Sequence, residues 1–225
     1  MTDEARNILV VAHGRRPDTV GAAARVIGAL RDAGATPVLS SDDRAELDSA
    51  IPGPLATLGA DVAVADIELA IVLGGDGTIL RAAELVREGS APVLGINMGH
   101  VGFLAEIERD DMDEAVRRVI DRDYTVEERL ALQVRIKDRD EQVIYETWAL
   151  NEATVEKASR ERMLEVVIEI DGRPLSSFGC DGIVVSTPTG STAYNFSAGG
   201  PVIWPGVEAI AVVPLSAHAL FAKPL

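Results

Sequence analysis

The segment Gly74-Gly75-Asp76-Gly77-Thr78 follows the apolar run Ile67-Glu68-Leu69-Ala70-Ile71-Val72-Leu73 and precedes a stretch of helical periodicity. Glycines there let the backbone turn sharply and approach a ligand, and the N-terminus of the following helix offers free N–H groups to an anion. Phosphate suits such a loop. Asp76 would repel that guest, so it is read as accepting a proton from an attacking hydroxyl or as holding a metal-bound nucleotide. The plainer alternative is that Asp76 or Thr78 caps the helix. Arg81, one turn further on the polar face, could reach a phosphate or stand as a solvated charge.

Two other segments carry a density of polar groups. Asn151-Glu152 follows Tyr145-Glu146-Thr147-Trp148-Ala149-Leu150 near the end of an expected strand. An amide beside a carboxylate offers donors and acceptors together and fits a vicinal diol or a purine edge, although a turn contact would use the same residues. The run Cys180 to Pro201 sets Asp181, Thr192, Ala193, Tyr194 and Ser197 among hydroxyls and glycines, with Tyr194 able to stack on a ring. A β-bend with capping hydroxyls is the alternative there. Neither a P-loop nor a Gly-x-Gly-x-x-Gly after the first strand is present: Gly190-Ser191-Thr192 lacks the lysine.

The elements that must hold these residues fall into two halves. Ile8-Leu9-Val10-Val11-Ala12, Ile67–Leu73 and Ala91–Asn97 read as buried parallel strands, the first breaking at Gly14. Helical spacing marks Val20, Ala23, Ala24, Ile27 and Leu30 with Gly34 as the stop, then Ile79, Ala82, Ala83 and Val86, then Met112, Ala115, Val116, Val119 and Ile120. The acidic stretch from Ser40 to about Val64, broken by Pro52, Gly53 and Pro54, reads as a solvated excursion. After Asp123 the period becomes two, with hairpin signals at Lys137-Asp138-Arg139-Asp140 and Asp171-Gly172. The expected architecture is an α/β domain with a mostly parallel sheet over residues 1–121, and a β-rich, sandwich-like domain over 122–225.

Composition narrows the partners. The formal net charge of −15 over 225 residues opposes nucleic acid and anionic membranes, so a small anion must meet backbone amides and a few placed arginines. Cys180 is the sole cysteine, which excludes an intrachain disulfide and agrees with a reducing cytoplasm. His13, His100 and His218 lack metal-ligand spacing and read as structural or exposed, so no structural metal is expected. The polar start at Met1 precedes no secretory apolar region, and no apolar stretch is long enough to span a bilayer.

Taken together, the three polar segments resemble the NAD kinase family of bacteria, the actinobacterial type included. The Gly-Gly-Asp-Gly-Thr loop is shared with diacylglycerol, sphingosine and phosphofructokinase-type kinases. Asn151-Glu152, Thr187-Pro188-Thr189-Gly190-Ser191-Thr192-Ala193-Tyr194 and Ser197-Ala198-Gly199-Gly200-Pro201 separate the NAD kinase pattern from the lipid kinase one, and Gly95-Ile96-Asn97-Met98-Gly99 with Gly102-Phe103-Leu104 fits it too. The resemblance implies a transfer of phosphate from ATP or polyphosphate, with Mg2+ or another divalent cation, to the 2′-hydroxyl of the adenosine ribose of NAD. Asp76 would be the proton acceptor, flanked by Gly75, Gly77 and Thr78, with Arg81 near the phosphates. Asn151 and Glu152 would bind adenosine and Arg162 would add a basic contact. Asp181 would reach the dinucleotide from a neighbouring subunit, and Thr192, Ala193, Tyr194 and Ser197 would line the pocket.

Family members form homodimers or homotetramers and continue beyond the segment matching Val212 to Leu225, so a C-terminally truncated chain with an incomplete second domain is the expectation. Asn195 stands where the family often has serine, and Gly179 where some members have a basic residue. A lipid kinase of the diacylglycerol or sphingosine type and a non-catalytic dinucleotide-binding protein are the alternative functions.

Overall fold

The computed structural model describes residues 6–13, 16–99, 102–105, 107–159 and 162–217; Gly14, His100, His218 and the closing residues 218–225 lie outside them. The chain divides into two compact units, 1–126 and 127–225. The first is built on β1 (Asn7–Ala12), α1 (Pro17–Asp32), β2 (Thr36–Leu39), α2 (Ser41–Leu47), β3 (Ala56–Thr57), β4 (Ile67–Leu73), α3 (Asp76–Val86), β5 (Val93–Asn97), β6 (Ile107–Glu108) and α4 (Met112–Asp121). Its six strands form one sheet in the order β3-β2-β1-β4-β5-β6, parallel at every pairing.

A strand covered on both faces has no polar side to show, and β1 follows that rule. Ile8, Val10 and Ala12 join Leu69, Ile71 and Leu73 of β4 in a core shared with α1 and α4. On the other face Leu9, Val11, Ala70 and Val72 pack with Ile79, Ala82 and Val86 of α3. α1 starts on Pro17, whose missing N–H costs nothing at a first helical position, and stops at Gly34. There φ is +79°, and the amides of Gly34 and Ala35 return to the carbonyls of Arg31 and Leu30 at 2.9 Å each, closing a Schellman motif.

The stretch from Ser40 to Val64 is not a solvated excursion. Ser40 caps α2 by accepting a hydrogen bond from the Asp43 amide at 3.1 Å, and Leu47, Ile51 and Leu55 are buried in the core. β3 then adds itself to β2 as the sheet edge. Prolines and acidic residues masked a segment whose three well-spaced apolar residues supply the anchoring.

The second unit is antiparallel throughout its described strands: β7 (Leu132–Lys137), β8 (Val143–Ala149), β9 (Glu152–Glu156), β10 (Leu164–Ile170), β11 (Arg173–Cys180), β12 (Gly182–Ser186) and β13 (Ala211–Leu215), with α5 (Tyr194–Ser197) between the last two. β7 pairs β8, β10 pairs β11, and β12 lies between β13 and β9. The β10–β11 turn places Asp171 and Gly172 at φ of 51° and 71°, the two left-handed residues that a tight hairpin requires. This α/β half followed by an antiparallel β-rich half is the expected fold class.

Candidate active site

In the first unit the strand order reverses between β1 and β4: β2 lies to one side of β1 and β5 to the far side of β4. Loops leaving the carboxyl ends of the strands diverge at such a point and open a crevice, the usual ligand position in an open parallel sheet. A pocket of about 790 Å³ sits there, lined by His13 after β1, by Asp42, Asp43 and Glu46 of α2, by Gly74 to Thr78 and Arg81, and by Asn97 at the end of β5. The sequence offered no dinucleotide glycine fingerprint after β1; the glycines stand after β4 instead.

Asp76 is the first residue of α3, with Gly75 in extended conformation before it. Its carboxylate does not cap the helix. Oδ2 accepts the Phe103 amide at 3.2 Å and Oδ1 the Leu104 amide at 3.0 Å, so a loop 27 residues downstream holds both oxygens. Gly102 lies close behind, and a Cβ there would stand 2.6 Å from Oδ1. The two amides fix where the carboxylate oxygens stand, the placement a proton acceptor needs. Thr78 packs on Gly74, where a Cβ would come within 2.5 Å of Oγ1, so the tight turn at this point depends on having no side chain.

Arg81 is neither free in solvent nor alone. Its Nη2 donates to Oδ1 of Asp43 at 2.8 Å and to the carbonyl of Ala12 at 3.3 Å. Asp43 is 2% exposed, and its Oδ2 is buried without a hydrogen-bond partner among the described residues. Burial pushes the Asp43 carboxyl above its usual range, opposed by Arg81 and the Ser40 hydroxyl. The sequence reading missed Asp43 by treating its segment as solvated. A serine followed three residues later by an acid, ahead of a buried leucine, was the available signal for a helix start.

In the second unit Asn151 lies between β8 and β9, and Glu152 opens β9. The Asn151 carbonyl accepts the Thr187 amide at 2.9 Å and the Thr187 hydroxyl at 3.1 Å, while Gly190 packs so close that a Cβ would run into that carbonyl. Asn151 Oδ1 and Glu152 Oε2 are both buried without a partner among the described residues. An orphaned buried acceptor costs about 1–3 kcal/mol unless a donor arrives, and two in consecutive residues fit a ligand carrying hydroxyl or amino groups. Burial raises the Glu152 carboxyl, and the Tyr194 amide partly offsets it.

The Thr187–Pro201 segment turns through a short 3₁₀ helix at Thr189–Thr192 before α5. Thr192 and Ala193 are half-buried there; Ser197 is exposed, and the half-exposed Tyr194 donates its hydroxyl to Glu156 at 3.0 Å. That bond holds the Tyr194 proton and raises its pKa. Asp181 pairs with Lys157 between β11 and β12, and Arg162 is exposed ahead of β10. Asn195 is fully buried. Its amide donates to the carbonyls of Ser191 at 3.0 Å and Pro201 at 2.9 Å, a brace that closes the segment on itself.

Residues 11–124 match the family model of the ATP-NAD kinase N-terminal domain, and residues 150–225 that of the ATP-NAD kinase C-terminal domain. The chain is 64% identical over 222 residues to an NAD kinase of Leifsonia xyli, covering 98% of this chain and 73% of that protein. It is 53% identical to NAD kinase 2 of Streptomyces coelicolor, covering 99% of this chain and 74% of that protein. Among solved structures, yeast NADH kinase complexed with NADH superposes with a TM-score of 0.87 at 26% identity, over all of this chain and 70% of that one. An NAD kinase from Archaeoglobus fulgidus in complex with ATP gives 0.70 at 26% identity, over 98% and 76%. With a glycine-framed carboxylate at the sheet's switch point and both domain models matched in order, the chain belongs to the ATP-NAD kinase family.

Proposed function

We propose that the chain transfers a phosphoryl group from ATP or polyphosphate to the 2′-hydroxyl of the adenosine ribose of NAD, giving NADP. The observation that carries this reading is the Asp76 carboxylate, fixed by two backbone amides at the wall of a glycine-framed pocket. Asp76 takes the proton of the attacking hydroxyl, and the amides at the start of α3 receive phosphate oxygens. Little covalent chemistry is asked of the protein in such a transfer, and positioning with charge stabilisation supplies the rate. A divalent cation would enter with the donor's phosphates; among the described residues no group of three or more His, Cys, Asp or Glu is placed to hold one.

Residues 1–121 carry the catalytic loop in this proposal and residues 122–225 the dinucleotide contacts. The orphaned acceptors of Asn151 and Glu152 take hydroxyl or amino donors of the adenosine, and Thr192, Ala193, Tyr194 and Ser197 line its pocket. Arg162 adds a basic contact to the ligand, and Asp181 reaches the dinucleotide from a neighbouring subunit of a homodimer or homotetramer. The enzyme acts in the cytoplasm; among the described residues no helix is long and apolar enough to cross a membrane.

The test is incubation of the purified protein with NAD, magnesium and either ATP or polyphosphate, scored by NADP formed. Asp76→Asn is expected to lower kcat by roughly 10²–10⁴ while NAD still binds in calorimetry. Undiminished turnover of that variant would remove Asp76 from the mechanism.

A further inference from the structure

The Asp43–Arg81 pair occupies a place that neither helix needs for itself. Asp43 is the third residue of α2, a position from which an acid ordinarily turns back to the amide of the capping residue. Here the carboxylate serves Arg81 of α3 instead, through Oδ1, and leaves Oδ2 buried with no hydrogen-bond partner among the described residues. An unsatisfied buried carboxylate oxygen destabilises the fold by about 1–3 kcal/mol, and an apolar residue at this position would relieve it. The stability of α2 therefore does not account for the acid.

What the pair does achieve is orientation. One corner of the guanidinium is tied to the last residue of β1 and to α2 while its own stem rises from α3, so three elements around the crevice converge on Nη2. Arg81 makes no further hydrogen bond among the described residues, which leaves Nε and Nη1 to a ligand in the pocket it lines. A free arginine gives up about 2 kcal/mol of rotamer freedom on being fixed. One already held loses less when the ligand arrives.

We propose that Asp43 is a positioning residue for the phosphoryl donor, acting only through Arg81: it holds Nη2 so that the remaining edge of the guanidinium meets the donor's phosphates beside the Gly74–Thr78 loop. This rests on the kinase reading above. It concerns a residue on the segment between β2 and β3, and it separates donor binding from binding of the dinucleotide.

The experiment is steady-state kinetics on the full chain and its Asp43→Ala, Arg81→Ala and doubly substituted forms, varying ATP and NAD separately. Loss of one charge-assisted bond should reduce kcat/KM for ATP by about tenfold in Asp43→Ala, with KM for NAD within about twofold of wild type. In the Arg81→Ala background the same change should cost less than about twofold. Asp43→Asn keeps an oxygen for Nη2 and should recover most of the loss. Equal losses in both backgrounds, a parallel fall in the NAD parameters, or no loss at all would overturn the inference. Should Asp43→Ala fail to fold, Asp43→Leu, which relieves the buried charge, replaces it in the same cycle. If the wild type forms no NADP with either donor, the kinase reading fails on its own, and calorimetric ATP binding by the four proteins, judged by the same ratios, decides the role of Asp43.

Discussion

A methyl group at position 102 separates the placement of the Asp76 carboxylate from its chemistry. In Gly102→Ala the new Cβ would lie 2.6 Å from Oδ1, so carboxylate or loop must yield by more than about half an ångström to reach ordinary van der Waals separation. The acid itself is untouched, and the obstacle is the end of a half-buried side chain, so the stability cost should stay below about 1 kcal/mol. Displacement on the order of 1 Å in a catalytic constellation costs roughly 10²-fold, which puts the expected fall in kcat at about tenfold to a hundredfold. Turnover at saturating NAD and ATP, NAD affinity by calorimetry and a thermal melt should show the first falling alone. As a control, Gly28→Ala in α1 meets open space and should leave kcat unchanged while stabilising the helix by about 0.5–1 kcal/mol. If Gly102→Ala turns over within twofold of wild type, the 102–104 loop does not set the carboxylate's working position.

Three further outcomes follow from contacts already described or adjoining them. Glu68 is gripped by Arg6 and, more loosely, by Arg122, and the Arg6 guanidinium first among these holds its carboxyl down to about 2 from an ordinary 4.5. A depressed acid stabilises the fold fully above pH 4.5 and loses that contribution as pH falls toward 2. Glu68→Gln should therefore lower stability at pH 7 by up to about 3 kcal/mol, and the gap to wild type should close in acid, as read by urea melts across that window. Asn195→Ala strands the carbonyls of Ser191 and Pro201 and should cost about 2–4 kcal/mol by the same melts. Asn195→Ser should cost less than alanine because a hydroxyl can still donate to one of them.

The legible part of this fold lies where burial is continuous. Ile8–Ala12 and Ile67–Leu73 announce two-faced strands because no polar residue but Glu68 interrupts them, and Asp171-Gly172 announces its hairpin because few other pairs tolerate two left-handed residues. The 40–64 segment was illegible for the opposite reason. Its anchors Leu47, Ile51 and Leu55 are spaced among acids and prolines, and they are buried by helices and strands far away in sequence. Asp76 in the first unit and the Asn151-Glu152 couple in the second could be picked out by residue type. Their fixing groups could not, because the Phe103, Leu104 and Thr187 amides belong to the backbone and leave no mark in composition. Asp43 was hidden in the same way: an acid in an acidic stretch looks solvated until its partner on another helix is seen.

Strand β4 shows how one short element serves two unlike purposes. At its foot Glu68 is clasped by two arginines, and Arg6 goes on to hold the carbonyls of Val119 and Ile120 at the end of α4. At its head, about 20 Å along, the chain gives up side chains for three of the next four residues. A substitution that loosens the foot should thus shorten the lifetime of the folded protein without altering what each folded molecule does, and one at the head should do the reverse. Rigidity can be engineered from below while specificity is redrawn from above.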